Sequence, residues 1–176
     1  MELNLTCKTF ISVNHYMSYR VVGRRVHLYK PKTTKDFEKE FGTYVESEIK
    51  KQGWVKPPKN KLVIMEAIFY FPRIDMDTQN YFKSLSDIMT SSGVWEDDNV
   101  VMEKVERIYY DKKNPRIELK IYPSEFVGIF NNKEEYNEFV SKCVKCKRYK
   151  RNCYILKKAL EGRIQDEIVR NKCLKY

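Results

Sequence analysis

The stretch "LVIMEAIFYFPRIDMDTQNYFKSLSDIM", residues 62–89, decides how this chain folds. Its first ten residues are apolar apart from Glu66. Such a continuous run predicts a central strand over 61–71, covered on both faces. The period then changes: Phe82, Leu85 and Met89 recur at helical spacing and predict a helix from about 78 to 90. Polar residues crowd the junction. Asn80, Lys83 and Asp87 are spaced i, i+3 and i+7, so they share one helix face. Asp75, Asp77 and Gln79 come just before that face, and would alternate onto one side if the strand ran on through 79.

Downstream, "SSGVWEDDN" (91–99) closes the helix, with Gly93 a natural stop. A short return can bring Asp97 and Asp98 back beside it. Residues 100–110 and 116–122 read as strands joined across "DKKNP"; in the second, Ile117, Leu119 and Ile121 alternate with Arg116, Glu118 and Lys120, so one face meets water. Upstream, 5–13 reads as a strand and 14–34 as a loop or hairpin. A helix then runs to about 52, capped by Thr33 or Thr34 with Asp36 in its first turn. After Pro123 come a connector, a helix over about 133–142 and another over about 153–171. The second has Ile155, Leu156, Leu160, Ile164 and Ile168 near one stripe. The expected architecture is α+β: a small mixed sheet with packed helices over 1–123, plus a helical extension over 124–176.

The chain has 176 residues, of which 42% are hydrophobic and 14% aromatic, enough to exclude a disordered class. Lys and Arg number 34 against 24 Asp and Glu, a net charge of +10 that points to a polyanionic partner. The start, "MELNLTCKTF", lacks a charged segment followed by an apolar one, and the longest apolar run is too short to span a bilayer. The expected location is therefore the cytoplasm. There, five cysteines read as thiols or metal ligands rather than disulfides.

Converging carboxylates repel one another unless a cation joins them. Hard oxygen donors suit Mg²⁺ or Mn²⁺, which activate water and stabilise developing charge in phosphodiester hydrolysis. Lys83 would balance the acidic cluster or hold a phosphate oxygen. The same residues also suit a plainer role, because Asp favours turns and helix starts for local hydrogen-bonding reasons.

"DMDTQNYFKSLSDIMTSSGVWEDDNVV" resembles the signature of the RusA family of Holliday junction resolvases. That signature is an aspartate pair, Asn, then Lys and Asp on a helix, then Gly-Val-Trp and paired aspartates before a valine-rich strand. The resemblance is specific over about 71–105, looser over 1–123, and absent from the C-terminal segment. It implies a small α+β homodimer that cuts four-way DNA junctions with Mg²⁺ or Mn²⁺. Asn80, Lys83, Asp87, Asp97 and Asp98 match without gaps. Counting back from Asn80, the pair falls on Asp77 and Gln79, so one carboxylate has become an amide. The alternative pair, Asp75 and Asp77, requires two inserted residues, and the ungapped reading is preferred. On this basis Asp77, Lys83 and Asp98 are the candidate catalytic residues. Asp75, Asp77, Gln79, Asp97 and Asp98 are candidate metal ligands, with Asn80 and Asp87 orienting them. The role implied is resolution of branched DNA in recombination and repair, and a phage or prophage origin. The alternatives are a non-catalytic branched-DNA-binding protein and a nuclease preferring other branched or flapped DNA.

Two basic segments are candidate DNA contacts: Arg20, Arg24, Arg25, Lys30 and Lys32 among tyrosines, and Lys147, Arg148, Lys150 and Arg151 within "KCVKCKRYKR" (142–151). Cys143, Cys146 and Cys153 give C-x2-C-x6-C, part of a candidate Zn²⁺ site. Cys173 would be a distant fourth ligand, and Cys7, His15 and His27 are other donors without support from spacing.

Overall fold

A computed structural model of the chain describes all residues, Met1–Tyr176. They divide into two compact units, Met1–Pro123 and Ser124–Tyr176. The first is built on strands β1 (Leu3–Cys7), β4 (Val63–Phe71), β5 (Val101–Tyr110) and β6 (Arg116–Pro123), in sheet order β1-β6-β4-β5. β6 runs antiparallel to both β1 and β4, while β4 and β5 are parallel. The mixed α+β sheet expected from the sequence is therefore present. Helices α1 (Val13–Tyr16), α2 (Lys32–Gln52) and α3 (Gln79–Ser91) belong to this unit, and α3 is the crossover joining the parallel pair. No helix in the chain is long and apolar enough to cross a membrane.

The core lies between one face of the sheet and the helices. Met65, Ala67, Phe69 and Phe71 of β4 are wholly buried, as are Ile117 and Ile121 of β6. Leu85, Ile88 and Met89 of α3 meet them, with Phe37, Phe41 and Val45 of α2. β4 is central, as its apolarity predicts, but it is not covered equally on both sides. Glu66, Ile68 and Tyr70 are only partly buried. Their face carries polar and aromatic contacts instead: Tyr70 Oη donates to Glu118 Oε2 at 3.1 Å, and the Arg116 guanidinium lies 3.4 Å from the Tyr70 ring centroid.

Several boundaries differ from the sequence expectation. β1 stops at Cys7, opposite Ile117 near the start of β6, because no partner strand extends further. Phe10 and Ile11 pack against the core from a loop instead. Residues 14–34 form the turn α1 and then a hairpin, β2 (Ser18–Val22) and β3 (Arg25–Tyr29). α2 starts after Pro31 without a side-chain cap; the Thr34 hydroxyl donates to the His15 carbonyl at 3.4 Å, and Asp36 falls beyond the first turn. β4 ends at Phe71 and does not run on through 79. Pro72 follows it at once and cannot donate to a ladder.

In the second unit α4 (Lys133–Lys145) is present, capped by the Asn132 side chain, which accepts from Glu135 N at 2.8 Å. The long last helix is not. α5 covers Ile155–Leu160, stops before Gly162 at φ +79°, and gives way to a small hairpin, β7 (Ile168–Val169) and β8 (Lys172–Cys173). Ile164, expected on the helical stripe, is 81% exposed. Beside α5, Gly128 is required for space: a Cβ there would sit 2.1 Å from the Ala159 carbonyl oxygen.

Candidate active site

α3 starts on a turn in which the Asp77 side chain accepts from Gln79 N at 3.0 Å and Asn80 N donates to the Asp77 carbonyl at 3.2 Å. Asp77 thus already performs the local turn role open to it from sequence. Asp75 pairs with Arg73 at 3.2 Å in an exposed position. Gln79 is exposed and Asn80 half-buried. Asp75, Asp77 and Asn80 line one open cavity of about 480 Å³ together with Ser12, His15 and Arg73.

One turn along α3, Lys83 Nζ lies 2.7 Å from Asp87 Oδ1 and 3.1 Å from Asp98 Oδ2. The return that delivers Asp98 follows from packing. Gly93 adopts φ +80°, and Val94 and Trp95 are buried behind it. Trp95 Nε1 donates to Thr90 Oγ1 at 2.8 Å, and Trp54 Nε1 to the Val94 carbonyl at 3.0 Å. The chain then enters the short 3-10 turn Asp98–Val100, whose first donor is satisfied by Asp97 Oδ1 accepting from Asn99 N at 3.2 Å. Gly-Val-Trp is therefore the anchor that places Asp98 against Lys83.

The carboxylates stand in separate contacts. Asp87 and Asp98 are joined through Lys83, Asp75 and Asp77 line the cavity, and Asp97 caps a turn. No three His, Cys, Asp or Glu side chains are gathered so as to hold a metal ion as they stand. The hydrogen bond to Asp87, then that to Asp98, raises the Lys83 pKa above its ordinary value. Lys83 is therefore a cation at neutral pH and cannot serve as a general base.

Two residues that the sequence reading missed, Tyr16 and Glu38, extend this arrangement together with Lys30. Tyr16 donates to Glu38, which also pairs with Lys30 at 2.5 Å, while Lys30 Nζ sits 4.8 Å from the Tyr16 ring centroid. Burial, then the hydrogen bond to Glu38, raises the Tyr16 pKa, and Asp87 adds to the shift through charge and hydrogen bonding. A chain of polar contacts thus runs from Lys30 at the end of the hairpin through Glu38, Tyr16 and Asp87 to Lys83 and Asp98. Burial pushes the Glu38 pKa up, but the hydrogen bonds from Lys30 and Tyr16 outweigh it and leave it lowered. Tyr16 was legible only as one aromatic among basic residues; its burial beside α3 required the fold.

Of the expected DNA contacts, Arg20, Arg24, Arg25 and Lys32 are exposed on or beside the β2–β3 hairpin, and Lys30 is engaged with Glu38. Lys147, Arg148, Lys150 and Arg151 are exposed in turns between α4 and α5.

The first unit thus carries an acidic and cationic cluster on a β-α-β crossover, together with an exposed basic hairpin. Residues 12–122 match the family model described as Endodeoxyribonuclease RusA, and the chain belongs to that family of endodeoxyribonucleases, the Holliday junction resolvases. The match spans the site and ends before the second unit. No curated protein matches the chain.

Proposed function

We propose that the chain is a divalent-metal-dependent endodeoxyribonuclease that resolves four-way DNA junctions by phosphodiester hydrolysis, as a homodimer acting in recombination and repair. The observation that carries the reading is Lys83, a fixed cation held between Asp87 and Asp98 on the helix that Asp77 begins. Its support is membership of a family of DNA endonucleases.

The donor chemistry fits Mg²⁺ or Mn²⁺. These ions prefer carboxylate and carbonyl oxygen and bind through one or two carboxylates plus waters and substrate phosphate, so a ready-made group of three is not required. Asp77 and Asp98 would hold the ion, with Asp97, Asp75 or the Gln79 carbonyl as further donors. When bound, the ion supplies Lewis-acid stabilisation of charge on the phosphate and a more acidic water. The residues themselves do the rest. Lys83 offers a protonated amine to a phosphate oxygen. Asp87, hydrogen-bonded to Lys83 and close to Tyr16, fixes where that amine points. Asn80 lines the cavity beside Asp77 as a neutral polar group that adds no repulsion toward phosphate. Arg20, Arg24, Arg25 and Lys32 bind backbone phosphates without reading sequence. Val105, Ile108, Tyr109 and Tyr110, exposed on the edge strand β5, suit a surface that a second copy covers.

A second reading is a non-catalytic branched-DNA-binding protein. The amide at Gln79 and the separated carboxylates favour it. Incubating the purified chain with labelled four-way junction, flap and linear duplex, in Mg²⁺, Mn²⁺ or chelator, distinguishes them. The proposal expects paired nicks in the junction that chelator abolishes; binding without nicks in any metal supports the second reading.

A further inference from the structure

The second unit, Ser124–Tyr176, is about 50 residues long, a size at which an apolar core alone seldom suffices. Its buried cluster consists of Phe130, Phe139 and Ala159. The unit holds four cysteines, and none forms a disulfide. Cys143 sits in the last turn of α4, and Cys146 caps that helix, its N–H donating to the Cys143 carbonyl at 3.0 Å. Two successive turns follow, with Tyr149 N to Cys146 O at 3.0 Å and Arg151 N to Arg148 O at 3.1 Å. They deliver Cys153 to the start of α5.

Cys173 comes from far along the chain. It pairs with Ile168 in the β7–β8 hairpin, whose two-residue turn places Arg170 and Asn171 at positive φ. The Asn171 amide donates to the Glu135 carbonyl at 3.1 Å and to Glu138 Oε2 at 3.3 Å, tying the hairpin to α4. Cys143 and Cys173 pack against the same small cluster. Cys146, Cys153 and Cys173 all lie within electrostatic reach of the Cys143 sulfur.

A packing role does not account for this set. Cys7, in the first unit, is wholly buried as a small apolar side chain should be; the other four are all half-buried. We propose that Cys143, Cys146, Cys153 and Cys173 form a tetrathiolate zinc site that staples the C-terminal unit. The pattern pairs a C-x2-C turn on a helix end with one thiol before the next helix and one on a hairpin. As they stand the side chains are looser than a coordination sphere. Zinc binding draws the four sulfurs onto one ion and releases their four protons to solvent, with no change of oxidation state. Lys145, Lys147 and Lys172 flank the ligands in sequence and offset the net negative charge of a zinc tetrathiolate.

The test is the metal content of the purified full chain, together with the visible spectrum after cobalt replaces zinc. The proposal expects a single zinc ion per chain and a cobalt spectrum with thiolate charge-transfer and tetrahedral bands. Cys7→Ser should keep both, while Cys146→Ser and Cys173→Ser should each lose the tetrathiolate spectrum. Zinc far below one ion per chain with no such spectrum, disulfides among these cysteines in protein kept under reductant, or undiminished zinc in Cys173→Ser overturns the assignment. If the serine variants are insoluble, the wild-type zinc content and cobalt spectrum decide alone. Neither readout depends on cleavage of DNA.

Discussion

Lys83 Nζ lies 3.1 Å from Asp98 Oδ2, fastening the helix that leaves β4 to the turn that enters β5. The contact joins the two ends of the parallel crossover within the matched family region.

Lys83→Met should lower junction nicking by about 10²–10³-fold, the usual cost of removing one group aimed at developing charge. Stability should change by less than about 1 kcal/mol, because the side chain is well exposed and its pairs are screened by solvent. Nicking rates and thermal midpoints of the two proteins check this.

The raised Lys83 pKa gives the pH dependence a sign. The paired amine contributes fully below the ordinary lysine value and is lost as pH rises through the raised one. Nicking by the saturated junction complex should therefore persist through mildly alkaline pH and decline only above the free-lysine range. An alkaline limb near neutrality would show that another group titrates instead.

Gln79→Asp should lower the Mg²⁺ concentration required for nicking, since it returns a negative charge to the end of α3. Titrating Mg²⁺ at fixed junction concentration measures the effect.

Replacing Lys147, Arg148, Lys150 and Arg151 together by Ala should weaken junction binding and flatten the slope of log affinity against log salt. The change should be up to about 3–4 if all four touch phosphate. An unchanged slope assigns these residues to solvent.

The sequence carried the sheet and the acidic junction because both are local patterns. The apolar run at 62–71 marks β4, the 3.6 period of Phe82, Leu85 and Met89 marks α3, and the alternation at Ile117, Leu119 and Ile121 marks β6. Gly93 marked the helix stop after which a short return could bring Asp98 back, and the Lys83–Asp98 contact agrees. Non-local features were illegible. Thr34 binds the His15 carbonyl instead of capping its helix, and β1 ends where its partner ends. The stripe from Ile155 to Ile168 has helical spacing, yet Gly162 ends α5 early and the later residues fold back as a hairpin. That failure carries the information, since the fold-back is what brings Cys173 toward Cys143.

The most direct test of the account is nicking of a labelled four-way junction by wild type, Asp77→Asn, Asp98→Asn and the double variant, each at concentrations that saturate binding. If both aspartates serve one metal-assisted step, either single change abolishes nicking, the double change adds nothing, and all four proteins still bind the junction. Undiminished nicking by Asp77→Asn or Asp98→Asn contradicts the account.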